Sequence, residues 1–149
     1  NVFEGVDSSL LMLRGKLKQG VTVHREYADN VPMIPAYGSE LNQVWTNIID
    51  NAIDAMNGYG ELAVRIDSSD TDVIVELEDN GPGIPEEIQH KIFDSFFTTK
   101  EPGKGTGLGL DITYNIIVHK HSGNITVLSE PGKTCFQISL PIESNLAGQ

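Results

Sequence analysis

The run "SELNQVWTNIIDNAIDAMNGYG", residues 39–60, constrains the fold more than any other stretch. At about 100° per residue, Leu41, Val44, Trp45, Ile48, Ala52 and Ala55 fall on one face. The spacing predicts a helix over about 40–56 with that stripe against a core, capped by Ser39 and stopped by Asn57-Gly58. Asn47 and Asn51, four apart, lie side by side at the edge of the stripe. Asparagine is an indifferent helix former. Two at the border of a buried face are therefore either plain surface residues or ligand groups, and an amide oxygen is a hard donor suited to Mg²⁺.

Around this helix the hydrophobic period switches to two. "VTVHREY" (21–27), "ELAVRID" (61–67), "DVIVELED" (72–79), "NITVLSE" (124–130) and "CFQISLP" (135–141) read as strands, the last four paired around the turns "SSDT" and "PGKT". Helical patterns cover about 8–19, capped at Asp7 or Ser8 and closed by Gly20. They recur in "PEEIQHKIF" (85–93), with Pro85 in its first turn, and in 110–122, ended by Gly123. "ADNVPMIPAYG" and "NGPGIP" are loops. The order is α+β: one sheet of at least four strands with helices on one face. A length of 149 residues, without repeat or linker, fits a single domain over 1–149 whose tail, about 143–149, frays. Asn1 in place of an initiator Met reads as the start of a fragment of a longer protein.

Charge limits the partners. At net charge -11, broad electrostatic binding to nucleic acid or acidic membrane is not expected, so an anionic ligand needs local positive charge or backbone N–H groups. No window holds the ~18 apolar residues of a membrane span. Cys135 is the only cysteine. Within an alternating strand it reads as a small buried hydrophobe.

Such an anion site is suggested by "TTKEPGKGTGLGL", residues 98–110. It is not a P-loop, because Gly103-Lys104 lacks the glycine five residues earlier and the following Ser or Thr. Nor is it a Rossmann fingerprint, since Gly105, Gly107 and Gly109 stand at 1, 3 and 5 after a polar loop. It keeps what those loops share, a glycine-rich approach to a helix N-terminus, with Lys100 and Lys104 nearby. Phe93, Phe96 and Phe97 precede it, able to anchor a moving segment. Asp79 ends a strand before Gly81, Pro82 and Gly83. A carboxylate fixed there accepts only, which suits a ligand NH₂ such as the adenine amine, and the glycines let a flat base approach the backbone.

In this order the stretches resemble the catalytic ATP-binding domain of sensor histidine kinases, within the GHKL group that includes gyrase, Hsp90-type chaperones and mismatch-repair ATPases. "ELNQVWTNIIDNAIDAM" is similar to the N box, "DNGPGIP" to the G1 box, "IFDSFFTTK" to the F box, "GTGLGL" to the G2 box, and "SEPGKTCFQISLP" to the closing strand pair. The resemblance covers nearly the whole chain. It implies the Bergerat fold, a two-layer α/β sandwich of mixed sheet with helices packed on one face and a glycine-rich ATP lid. It also implies ATP and Mg²⁺ as ligands. Asn51 would ligate the metal, Asn47 would assist at the phosphates and Lys100 would approach the terminal phosphates, these three being catalytic. Asp79 would take the adenine amine, Gly81 and Gly83 would shape the base pocket, and Thr134 would support it. Gly105, Gly107 and Gly109 would form the lid wall with Leu108 beside them. Asp54, Ile84, Phe97, Thr99, Lys104, Thr106 and Leu110 would complete the nucleotide contacts.

Two departures bear on the chemistry. Hydrolytic members of the group carry a glutamate four residues before the metal asparagine; here Asn47 cannot act as a general base. Many histidine kinases carry a basic residue three or four positions after that asparagine, where this chain has Asp54 and Ala55. The resemblance implies γ-phosphoryl transfer to a histidine on an upstream dimerisation domain, with a cognate response regulator as further partner. His24, His90, His119 and His121 lack the acceptor setting. A cytoplasmic domain without membrane or nucleic-acid contact is expected, the membrane anchor of the parent protein, where one exists, lying elsewhere. Two other readings share the pocket: a GHKL serine kinase of the anti-sigma type, and a non-catalytic nucleotide-binding module.

Overall fold

The computed structural model describes residues 2–18, 20–29, 31–34, 38–84, 89, 92 and 109–142. In chain order they form helices α1 (Val2–Met12) and α2 (Arg14–Leu17), strand β1 (Val21–Tyr27), helix α3 (Gly38–Ala55), and strands β2 (Gly60–Ser68) and β3 (Asp72–Asp79). Helix α4 (Gly109–Tyr114) runs into a π-helical segment (Asn115–Lys120), followed by β4 (Asn124–Glu130) and β5 (Lys133–Pro141). The helix expected over 85–93 falls almost wholly outside the described residues, as do 93–108 and the tail 143–149.

The five strands make one mixed sheet in the order β1-β2-β3-β5-β4. β1 pairs parallel with β2, and the other neighbours are antiparallel. Alternation in the strands sends Leu62, Val64 and Ile66 of β2, Val73, Val75 and Leu77 of β3, and Phe136, Ile138 and Leu140 of β5 into the core. α1, α3 and the π-helical segment cover that face with Val6, Leu10, Val44, Trp45, Ile48, Ile49 and Ile117. Each large side chain so buried contributes about 1.5–3 kcal/mol. The result is the two-layer arrangement expected, with helices on one face.

The other face of β2, β3 and β5 carries charge. Arg65 donates to Glu76 (3.0 Å) and Glu78 (2.8 Å), and Lys133 lies 3.7 Å from Glu78. Cys135 is buried beside them, 3.9 Å from the Arg65 guanidinium, and burial pushes its thiol up.

Several expected boundaries move. The first helix begins at Val2, so Asp7 and Ser8 lie inside it and do not cap it. Asp7 instead accepts from the Tyr27 hydroxyl (2.7 Å) and Arg25 (3.3 Å), tying α1 to β1. α3 begins at Gly38, which leaves Ser39 in the first turn. Its core stripe is wider than six residues allow: Ile49 and Ile53 are buried, whereas Ala55 is exposed. Its end holds as read, with Asn57 (φ 54°) and Gly58 (φ 81°) reversing the chain and the Gly58 N–H bonded to the Ile53 carbonyl. The last helix changes to π at Asn115. The His121 Nδ1–H donates to the Ile116 carbonyl (2.8 Å) and the Gly123 N–H to the Ile117 carbonyl (2.8 Å), closing the wider turns.

Candidate functional site

The β3–β5 end of the sheet collects polar groups on the core side. Asp79 closes β3 at 4% exposure, and its Cα partner across the ladder is Thr134, also 4% exposed. The Asp79 Oδ1 accepts the Gly81 N–H at 2.9 Å. Burial pushes the carboxyl above its ordinary value; the Gly81 N–H opposes the shift and the charge of Glu78 adds to it. Among the described residues no ion pair includes Asp79. A buried acceptor-only group with one backbone donor retains capacity for a donor from outside.

Two glycines set the loop after Asp79. A Cβ on Gly81 would stand 2.9 Å from the Asp79 Oδ1 and 3.2 Å from the Ala55 carbonyl oxygen. Gly83 has φ +90°, and a Cβ there would run into the Glu130 carbonyl. The loop thus lies against α3 on one side and β4 on the other. Ile84, half-buried, donates its N–H to the Ser129 Oγ (2.7 Å), and Gln89 donates to the Ile84 carbonyl (2.9 Å). The Ser129 Oγ is 2.9 Å from the Thr134 Oγ1.

On α3, Asn47 and Asn51 are half-buried and one turn apart, and Asp54 is exposed. The Asn47 amide makes a long contact (3.5 Å) to the hydroxyl of Thr113, buried on α4. α4 also carries Gly109 and half-buried Leu110. Of the sequence-expected site residues, the structure therefore places Asp79, Gly81, Gly83, Ile84 and Thr134 together. It places Asn47, Asn51 and Asp54 along α3, with Gly109 and Leu110 on the helix that Asn47 contacts. Phe97, Thr99, Lys100, Lys104, Gly105, Thr106, Gly107 and Leu108 lie outside the described residues, as does His90. His24 sits in β1 and pairs with Glu61 (3.1 Å); His119 lies in the π-helical segment, and buried His121 follows it.

Ser129, Gln89 and Thr113 were not foreseen. For Ser129 a signal existed: a turn centred on Pro131-Gly132 pairs it opposite Thr134.

The histidine kinase-, DNA gyrase B-, and HSP90-like ATPase family matches residues 37–144. Sporulation kinase E of Bacillus subtilis (strain 168) is 41% identical over 127 residues, covering 84% of this chain and 17% of that protein. Sporulation kinase A of the same organism is 40% identical over 138 residues, covering 92% of this chain and 22% of that protein. The chain thus spans about a fifth of the length of these curated relatives. Among solved structures, the nucleotide-free catalytic domain of histidine kinase ThkA matches with TM-score 0.86 and 31% identity over 95% of each chain. The complex of ThkA with response regulator TrrA matches with TM-score 0.82 and 28% identity, covering 96% of this chain and 41% of that one. With the mixed sheet, helical layer and site geometry above, these place the chain in the histidine kinase-, DNA gyrase B- and HSP90-like ATPase family, as an ATP-binding catalytic domain of the sensor histidine kinase kind.

Proposed function

We propose that residues 1–149 act as one domain that holds Mg²⁺·ATP between α3 and the β3–β5 end of the sheet. It would then deliver the γ-phosphoryl to a histidine on a dimerisation domain outside this chain. The observation that carries the reading is Asp79, a buried carboxylate at a strand end with a backbone N–H on one oxygen and Thr134 beside it. A donor amine satisfies it without bringing a charge into the pocket, and the exocyclic amine of adenine is such a donor. Gly81 and Gly83 let the loop lie close against α3 and β4 beside the base, and Ile84 would supply apolar contact. The phosphates would extend toward Asn47, Asn51 and Asp54. Lys100 and Lys104 would supply charge to them, and Phe97, Thr99, Gly105, Thr106, Gly107, Leu108, Gly109 and Leu110 would complete the nucleotide contacts.

The donor set fits Mg²⁺. Among the described residues no three His, Cys, Asp or Glu side chains gather as a metal cluster. Asn51 offers a neutral hard oxygen, which suits an ion that takes its remaining ligands from water and phosphate. When bound, the ion neutralises charge on the phosphates, and Asn51 would hold it with Asn47 assisting at the phosphates. The chain's own contribution is positioning and charge complementarity. Asn47 cannot take a proton from water, so hydrolysis is slow and the phosphoryl group is kept for a protein acceptor. A response regulator is the expected later partner, as in the ThkA complex. No helix of the described residues is long and apolar enough to cross a membrane, and we place the domain in the cytoplasm.

The test is calorimetric titration of ATP into the wild type and Asn51→Ala, with and without Mg²⁺. Mg²⁺ should strengthen ATP binding to the wild type at least tenfold and leave Asn51→Ala unchanged. An equal Mg²⁺ effect in both proteins removes Asn51 from the metal site.

A further inference from the structure

Ser129, one residue from the end of β4, is assigned nothing in the reading above, yet it touches both walls of the base pocket. Its Oγ accepts the Ile84 N–H at 2.7 Å, stands 2.9 Å from the Thr134 Oγ1, and lies 3.3 Å from the Lys133 carbonyl oxygen. Its backbone carbonyl receives the Gln89 amide at 3.4 Å, and the same amide donates to the Ile84 carbonyl at 2.9 Å. Ser129 therefore links the loop after β3 to the β4–β5 hairpin.

The roles within this cluster are constrained. A hydroxyl has one proton and two lone pairs. The Ile84 N–H can only donate, so it occupies a lone pair of Ser129. The single Ser129 proton then goes to the Lys133 carbonyl (3.3 Å) or to the Thr134 Oγ1 (2.9 Å), and either hydroxyl of the Ser129–Thr134 pair can be the donor. When Ser129 donates to the Thr134 Oγ1, that hydroxyl accepts from below and its own proton is free to turn into the pocket. Asp79 stands beside it as the Cα partner of Thr134. The pocket then presents an acceptor, the Asp79 carboxylate, next to a donor, the Thr134 hydroxyl.

This order matches one purine edge and opposes the other. A 6-aminopurine shows an amine donor beside a ring-nitrogen acceptor; a 6-oxopurine shows a carbonyl acceptor beside an N–H donor. We infer that Ser129 is a positioning residue that orients the Thr134 hydroxyl proton and thereby makes the site select 6-aminopurine over 6-oxopurine nucleotides. The inference rests on the reading that this pocket holds the base of ATP. A site built around hydrogen bonds rejects a ligand that leaves its buried groups unmatched.

Inosine triphosphate reverses the edge without adding the 2-amine of guanine, so it isolates polarity from size. ATP and inosine triphosphate are titrated calorimetrically into the 149-residue wild type and the variants Ser129→Ala, Ser129→Thr and Asp79→Asn, each checked for native circular dichroism. The wild type should prefer ATP by about 100-fold, and Ser129→Ala should lose about tenfold of that ratio, the size of one buried hydrogen bond. Ser129→Thr, which keeps the hydroxyl, should retain the wild-type ratio. A purely structural role would weaken both nucleotides by one factor, so an unchanged ratio in folded Ser129→Ala overturns the inference, as does a Ser129→Thr ratio as low as that of Ser129→Ala. Where Asp79→Asn loses ATP but Ser129→Ala keeps the ratio, only the role of Ser129 falls. Where Asp79→Asn binds ATP like the wild type, the base lies elsewhere and the functional reading falls with it.

Discussion

Glu78 and Asp79 are neighbours on β3 and point to opposite faces of the sheet. Glu78 lies on the open face, where Arg65 donates to it at 2.8 Å and Lys133 stands 3.7 Å away. Asp79 lies on the helix-covered face with one backbone N–H on its carboxylate. The pairing holds the Arg65 guanidinium firmly charged, through its bond to Glu78 above all, whereas burial pushes the Asp79 carboxyl above its ordinary value. The chemistry is the same and only the strand's period of two separates them. A carboxylate matched within the chain ties strands together, and Asp79, with one backbone N–H on its carboxylate, is the group we propose receives the ligand.

The difference can be broken most sharply at Asp79. Asp79→Asn should weaken ATP binding about 100-fold, because a charged acceptor is lost and an amide donor faces the adenine amine. Calorimetry reads this directly, and Glu78→Gln should bind ATP as the wild type does. Next in size is Gly83→Ala. A positive φ of +90° and the Glu130 carbonyl in the path of a Cβ should cost about 1–3 kcal/mol of stability, seen in urea unfolding, together with reduced ATP affinity. On the open face, Arg65→Met should cost only about 1 kcal/mol, since its side chain is 30% exposed and water screens the pairs. It should leave ATP affinity unchanged, and a large loss there would erase the distinction between the two faces.

The smallest effect is on pH dependence without nucleotide. The folded-state pKa of Asp79 is raised, so the native state resists ionisation that the unfolded chain accepts. Its contribution is favourable below the ordinary carboxylate value of 3.8 and is lost as pH rises through the raised folded value. Asp79→Asn should therefore melt higher than the wild type at neutral pH, with the gap closing on acidification. A gap that widens on acidification would contradict the burial argument.

Much of this was readable in the residues. The strands followed from alternation because one face of the sheet is buried and the other is not, which writes period two into β2, β3 and β5. Asp79 was singled out as the end of a strand followed by Gly81, Pro82 and Gly83, and the structure buries it in register with Val73, Val75 and Leu77. What was missed depended on contacts that only the folded chain shows. Asp7 looked like a helix cap, and only the fold brings Tyr27 and Arg25 to it. The π-helical segment has ordinary helical composition, and its wider turns become visible only where His121 and Gly123 close them. Ser129 read as a polar strand residue until the hairpin register set it opposite Thr134.

The central claim is that the Asp79 end of the sheet receives the base of ATP. A crystal structure of the 149-residue chain with Mg²⁺ and a non-hydrolysable ATP analogue tests it most directly. The account predicts the adenine amine within hydrogen-bond distance of the Asp79 carboxylate, with Thr134 at the adjoining ring nitrogen, directly or through one water, and the phosphates running toward Asn51. A base bound away from Asp79, with the phosphates lodged at the strand end instead, would contradict it.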